Sequence, residues 1–571
     1  MNRAMVAGMA ALAVTLTACA AIPTEGEVAE GNGEVLPVAP FEPILSGPAP
    51  EDGPAAIVTG FLTASAGGVA TDFTVARQFL TDEAAAQWDP GAQTIVYSSG
   101  AVAPEWDEES HTVAYEVPLD STLDDSGLRS DATEGDVVQL VFEMTEVDGQ
   151  WRISELADGV VVTAANFQSF YRQVPLVFAT SDLSMATSEL RWLPDNFAAT
   201  AAARELVQGP SAWLADAVET GFPATAALAV ESVVVDGGVA TVDLTAQSAG
   251  TLTERALADE QLRLTLSSLP DVTSVDVRIG GLPISDEVEI DLDPVPVPDR
   301  YAAVIVDNRL GLWNGEEVRI TPGEIGLLPE GTRGVARNYD GSSTAFVTGE
   351  GVSVTRALAG GWDAAVPADA ASDATDVVES TLVFAANDAV DPSFDRYGDL
   401  WVARQAGGGL QVVTTDGETI TLGADWLSGR SINAVSVSPS GTYVAVQSRT
   451  GGQPILEVVA VVRDSAGVPL ALGEPKPVGP GVGLGVDISW VDDLTFAVLG
   501  EPVEGSASPL WTVTVGGATA ALATVRDAVS VSARSGVTSL VVASAEGTVE
   551  ERSGTSWSQV LEGITDIAYA G

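Results

Sequence analysis

The chain has 571 residues, 46% of them hydrophobic, with 80 acids against 25 bases and a formal net charge of −55. Single cores stop growing near about 250–300 residues, so several domains are required, and a mean hydropathy of +0.22 is too high for an acidic disordered chain. Nucleic-acid binding is excluded on charge, because phosphates are held by clustered Lys and Arg and Lys476 is the only lysine.

The rare residues narrow the chemistry further. Cys19 is the only cysteine and His111 the only histidine, so neither a disulfide within the chain nor a Cys/His zinc site can be built. No catalytic residue is assigned, no cofactor or metal is expected, and the chain is read as a non-enzyme. Neighbouring acids occur at Asp124-Asp125, Glu316-Glu317 and Asp492-Asp493, but adjacent strand residues point to opposite faces. The glycine runs at Gly407–Gly409 and Gly479–Gly485 lack the lysine of a phosphate-binding loop.

At the amino terminus Arg3 precedes an uncharged, mostly small or apolar run, Met5–Ala18. As a helix it would span about 20 Å, short of the ~30 Å hydrocarbon core, and its length suits a secretory signal. It ends Leu16-Thr17-Ala18-Cys19, which resembles a bacterial lipobox. Residues 1–18 are therefore read as a lipoprotein signal peptide with Leu16, Thr17 and Ala18 as the signal-peptidase recognition site. Cys19 is the expected lipidation site, carrying a covalent diacylglycerol and an N-acyl lipid such as palmitate. Two or three acyl chains anchor durably, which places the protein on the outer face of the cytoplasmic membrane. Residues 19–53, rich in Pro, Gly and Glu, read as an acidic tether.

Residues 54–165 read as an α+β domain. Pro54 opens a helix carrying Ile57, Val58, Phe61 and Leu62, and a second helix is predicted through Phe73, Ala76, Phe79 and Leu80. Strands follow at Thr94–Ser98, His111–Val117 and Asp136–Met144, the last joined through Asp148-Gly149 to Trp151–Leu156 as a hairpin. By element order the expected shape is a nuclear-transport-factor-like cone. His111 continues the phase of Val113, Tyr115 and Val117, so alternation would bury it. A general base in a cone-shaped pocket is one reading of it; a structural or exposed strand-end histidine is the other, and is preferred.

Residues 172–286 form a second α+β region. Strands at Pro175–Thr180 and Glu189–Leu193 precede a helix from Asn196, as N-cap, to Gln208. A hairpin turns at Asp236-Gly237-Gly238, and a helix starting at Thr253, with Leu252 and Leu257 as a staple, presents Ala258, Leu262, Leu266 and Leu269. A strand through Val275, Val277 and Ile279 ends the region. The Gln208-Gly209-Pro210 helix stop, the hairpin ending Val242-Asp243-Leu244 and the late helix–strand pair resemble the GerMN domain. The resemblance implies a binding or assembly module.

After a Pro-rich acidic linker, 287–299, residues 300–571 read as all-β. A turn-then-strand unit recurs with markers Gly341, Gly398, Gly441, Asp493 and Gly536, 43–57 residues apart. That period predicts a β-propeller of about six blades, with a pair of sandwiches as the alternative. The fold class is thus two α+β domains followed by an all-β propeller. Trp362, Trp401, Trp426, Trp490, Trp511 and Trp557 are candidates for sugar stacking or, preferentially, blade core.

The lipobox followed by Ala-Ile-Pro-Thr-Glu-Gly, Ala56-Ile57-Val58 with Gly60-Phe61-Leu62, Ala76-Arg77-Gln78-Phe79-Leu80-Thr81 and Gly149-Gln150-Trp151-Arg152-Ile153 together resemble the LpqB lipoproteins of actinobacteria. The resemblance implies an accessory protein that binds the extracytoplasmic domain of a sensor histidine kinase like MtrB. It would modulate MtrA–MtrB two-component signalling in cell-wall homeostasis and division. The alternative is an envelope lipoprotein that binds or processes glycans at the propeller mouth.

Overall fold

The computed structural model describes residues 45–98, 100, 103–284, 288–293, 296–320, 326–356, 361–368, 377–502, 507–534 and 536–571. The lipobox, Leu16–Cys19, and most of the tether lie outside these residues.

The first region opens with α1 (Pro54–Gly68), whose first turn holds Pro54 where no backbone N–H is needed. It buries Ile57, Val58 and Phe61. The expected second helix is a single turn, α2 (Thr74–Arg77), because Phe73 takes a left-handed φ of 60° and Leu80 bridges to Ile153 of the sheet. The chain restarts as α3 (Asp82–Gln87), where the Thr81 hydroxyl accepts the Ala84 N–H at 3.2 Å.

The strands are β1 (Gln93–Tyr97), β2 (Glu105–Asp107), β3 (Thr112–Asp124), β4 (Arg129–Asp131), β5 (Val137–Val147), β6 (Gln150–Glu155) and β7 (Val160–Thr163). The sheet runs β6-β5-β3-β1-β7, with β2 and β4 pairing along β3. The β5–β6 turn has positive φ at both Asp148 and Gly149, as the Asp-Gly signal predicts. Phe61 meets Trp88 and Phe142 edge-on, with centroids 5.2 and 6.1 Å away, fastening α1 to the sheet.

A short helix, α4 (Ala164–Phe170), leads into the second region. There β8 (Tyr171–Ala179) and β9 (Ala186–Pro194) pair as a two-stranded ribbon. Next come α5 (Ala198–Gln208), β10 (Val234–Asp236), β11 (Val239–Leu244), α6 (Leu252–Ser267), β12 (Ser274–Ile279) and β13 (Leu282–Pro283). β11 and β12 are parallel and joined through α6, in a sheet ordered β10-β11-β12-β13.

Asn196 does not cap α5. Its amide donates instead to Ala70 O at 3.0 Å, tying the second region to the first. Nor do Leu252 and Leu257 form the expected staple. α6 starts one residue earlier on a Thr251–Glu254 capping box, and Leu252 is exposed. The predicted stripe Ala258, Leu262, Leu266 and Leu269 is buried. On the same helix, buried Thr265 accepts the Val177 N–H at 2.9 Å and buried Gln261 donates to Val177 O at 2.8 Å, completing the backbone pairing of β8.

The described residues from Ala302 onward form six antiparallel sheets. The innermost strands of blades 2–6 are Arg333–Arg337, Ser393–Phe394, Ser431–Val437, Gly485–Trp490 and Ala528–Ala533. Blade 1 takes its innermost strand from the far end of the chain: Ile564–Ala568 pairs with Ala302–Val306. Neighbouring innermost strands touch all the way round, which closes a six-bladed propeller rather than two sandwiches. The five sequence markers all fall in the links between the first and second strands of blades 2–6.

Small polar side chains staple one blade to the next by accepting backbone N–H groups. Ser393 accepts from Val437 at 3.1 Å, Ser489 from Ala533 at 3.0 Å and Ser532 from Tyr569 at 2.9 Å.

Candidate functional site

One strand, β9, makes polar contacts with both of the other regions. Glu189 and Arg191 alternate onto one face, each side chain 2% exposed, and pair at 2.5 Å. Arg191 Nη1 reaches the first region, donating to Ser126 O at 3.0 Å. Glu189 gathers the Ser211 hydroxyl and backbone N–H and the Trp213 indole at 2.9 Å, so both charges are hydrogen-bonded as burial demands.

Trp213 in turn stacks on Tyr443 of blade 4, with centroids 5.6 Å apart, and the chain's only lysine, Lys476, lies 5.3 Å over its ring. Burial there holds the Lys476 ammonium below its usual range. The Tyr443 hydroxyl closes the circuit by donating to Ser188 O at 2.8 Å. Four residues on from Ser188, the Trp192 indole donates to Gly516 O of blade 5 at 2.9 Å, and its backbone N–H donates to Gly127 O at 2.8 Å. One tryptophan therefore joins all three regions.

The turn before β9 docks on blade 3, and Thr187 of β9 docks on blade 5. Arg396 pairs with Asp182 at 2.7 Å and donates to Ser184 at 3.1 Å, while the Tyr397 hydroxyl donates to Asp182 at 3.2 Å. Burial opposes ionisation of Asp182, but hydrogen bonds from Thr180 and Arg396 hold its carboxyl down at about 2. Thr187 donates to Asp493 at 3.0 Å, and the Ser440 N–H donates to the other oxygen at 3.0 Å. Burial nevertheless pushes Asp493 up to about 6. Arg396, Ser440 and Asp493 lie in the recurring turns, so the repeat that builds the blades also supplies their docking points.

The linker is tied down at Asp293 and Asp299. Ala186 donates its N–H to Asp293 O at 2.9 Å, and Asp299 receives Arg337 Nε at 3.0 Å. Among the described residues, no group of three or more His, Cys, Asp or Glu is placed to hold a metal ion.

The candidate residues from the sequence are scattered. His111 departs from the predicted alternation: it is exposed, with φ 55°, in the turn before β3 begins. Its ring lies against Trp106 and Trp151, with centroids 5.9 and 6.4 Å away, not inside the sheet's concave face. Trp401 and Trp490 are buried and donate to Asp395 and Ser436 O. Trp362 stacks on Tyr301 with centroids 4.7 Å apart, and Trp511 and Trp557 pack against separate cores. These tryptophans form no common platform for a sugar. Asp492 caps its own turn, whereas its neighbour Asp493 is drawn into the joint.

The joint itself escaped sequence reading. Glu-Leu-Arg-Trp alternates charged and apolar residues like a half-exposed strand, and its charged face is covered by residues distant in sequence, Ser126 of the first region and Ser211 and Trp213 of its own.

Residues 47–168 match the family described as Lipoprotein LpqB, N-terminal domain, and residues 309–568 match the Lipoprotein LpqB beta-propeller domain. The chain belongs to the LpqB lipoprotein family. Between these, residues 171–285 match the family described as Sporulation and spore germination. Lipoprotein LpqB of Thermobifida fusca is 27% identical, aligned over 87% of each chain. That of Cutibacterium acnes is 27% identical over 98% of each, and that of Streptomyces avermitilis 26% over 98% of this chain and 97% of its own. LpqB relatives thus align across all three regions described above. Among the described residues, no helix is long and apolar enough to cross a membrane.

Proposed function

We propose that the protein is a non-enzymatic interaction protein, anchored by lipid on Cys19 to the outer face of the cytoplasmic membrane. There it binds the extracytoplasmic domain of an MtrB-type sensor histidine kinase and modulates MtrA–MtrB signalling in cell-wall homeostasis and division. The observation that carries this reading is the joint around β9. A buried ion pair and two tryptophans fasten three regions together, so a partner gripping one region fixes the orientation of the others. That is the mechanical requirement for an accessory protein that reports one contact at another.

The charge of −55 supports the choice of a partner bearing a basic patch, since complementary fields accelerate encounter. Photo-crosslinkers placed at exposed positions in each region, followed by identification of the captured molecules, test the reading. Capture of the kinase ectodomain is expected; capture of lipids and glycans alone would overturn it. Anchoring is tested separately by labelling with a fatty-acid analogue. The label should vanish in Cys19→Ser, and its persistence there would refute the lipidation site.

A further inference from the structure

The sheet of the first region is covered on one side only. Leu140, Phe142 and Met144 of β5 turn inward to the core they share with α1, whereas Val137, Gln139, Val141 and Glu143 alternate onto the opposite, exposed face. Val137 and Val141 are 59% and 50% exposed, and the register sets Pro118 and Ala114 of β3 directly beside them. The solvent face of an antiparallel sheet is ordinarily polar. Strand propensity accounts for valine in β5, but it says nothing about the residues around it.

Those residues are acidic and unpaired. Glu105 of β2 stands opposite Ala114, so Glu105, Ala114 and Val141 form one row across three strands. Glu116 lies opposite Gln139. Glu143 faces Glu155 of β6 directly across the ladder, a like-charge pair that is destabilising where no cation bridges it. Among the described residues, none of these four glutamates is in an ion pair. The arginine of this face, Arg152, donates instead to Trp151 O at 2.7 Å and to Gln150 Oε1 at 2.8 Å.

We infer that this face docks an amphipathic helix of the kinase's extracytoplasmic domain, with the helix's apolar stripe over Val137 and Val141 and its Arg or Lys side chains against the flanking glutamates. The inference rests on the function proposed above and names the surface that performs it. Exposed apolar side chains rimmed by charge mark interaction surfaces, and a rim of one sign selects a partner of the other.

The shape of the patch selects a helix. An open sheet face is covered in folded proteins by helices or by a second sheet, and here the apolar part is a single strip along β5. Glu105 and Glu116 flank the strip on one side and Glu155 on the other. Val137 and Val141 are about 13 Å apart along the strand, a length that two to three helical turns span. A narrow apolar stripe with charge on both sides is what an amphipathic helix presents. A second copy of this chain fits poorly, because a two-fold contact through this face would set its glutamates against one another.

The probe is the purified extracytoplasmic domain of the MtrB-type kinase from the same organism, titrated against the full-length protein in detergent at low and at physiological salt. Saturable binding that weakens with salt is expected. Val141→Lys should weaken it about tenfold or more, and Val141→Thr, which keeps the β-branched shape and so the strand, about threefold. Glu143→Gln combined with Glu155→Gln should weaken binding about fivefold and flatten its salt dependence, while the melting temperature holds or rises because the like-charge pair is gone. Val230→Lys in the second region and Leu470→Lys in the propeller, both at exposed positions, should leave binding unchanged. Binding that ignores the Val141 and glutamate variants, or that falls equally with Val230→Lys or Leu470→Lys, would overturn this docking face and leave the proposed function standing. No binding by the intact protein would overturn both.

Discussion

Glu189 and Arg191 place opposite charges where water does not reach, and the consequence is asymmetric. As a pair they compensate each other; singly, either is an unpaired charge in the interior. Arg191→Ala should therefore destabilise the joint by about 3–5 kcal/mol, whereas replacing both by apolar residues of similar size should be far milder. Urea unfolding of the two variants checks this, and equal losses would show that the pair is not coupled.

The raised carboxyls give a second expectation. Burial pushes Asp391, Asp399 and Asp493 each up to about 6, above the ~3.9 of an unfolded aspartate. Between about pH 4 and 6 the folded chain then binds more protons than the unfolded one, so stability rises as pH falls through that window. Asp182, held at about 2, works the other way, and its contribution is lost only below about pH 4. The melting temperature should climb from pH 7 to pH 5, and less so in Asp493→Asn. A fall over that interval would contradict it.

At the scale of elements, legibility followed where each element found its partners. The stripe Ala258, Leu262, Leu266 and Leu269 was readable because a helix packing one face against a core repeats at 3.6 residues. Asn196 was misread because its amide serves Ala70, 126 residues away, and nothing local to α5 announces that. The preferred reading of His111 as an exposed strand-end residue holds, while the phase that would bury it does not, because alternation holds only within a strand and a left-handed residue ends the strand's phase. The propeller was readable as a period, yet its docking turns were not, since their partners lie in another region. The start of α6 is a local device and gives a local prediction. Thr251→Ala removes one half of the capping box and should cost about 1 kcal/mol, measured by chemical denaturation. No loss would mean that packing of α6 against β8 alone sets the helix start.

For the whole molecule, the decisive feature is how the ring closes. Blade 1 joins Ala302–Val306 to Ile564–Ala568, so the two ends of the propeller sequence hydrogen-bond to each other. The same terminal strand supplies Asp566, which accepts from blade 2, while Tyr569 donates its N–H to Ser532 of blade 6. Ending the chain at Gly563 would remove the innermost strand of one blade and the staples to both neighbours. It would also expose the edge of Ala302–Val306 along with the buried Ala302, Val304 and Val541. The effect should not be confined to blade 1, because each innermost strand is held between two others and the ring has no spare contact to absorb a gap. The joint around β9 draws on blades 4 and 5 and does not include the missing strand. Limited proteolysis of the truncated chain should therefore cut first within residues 300–563 and leave residues 54–286 comparatively resistant. Protection of the truncated propeller equal to that of the intact chain would show that closure is dispensable. Early cutting in the first two regions would show that their stability is borrowed from the closed ring through the joint.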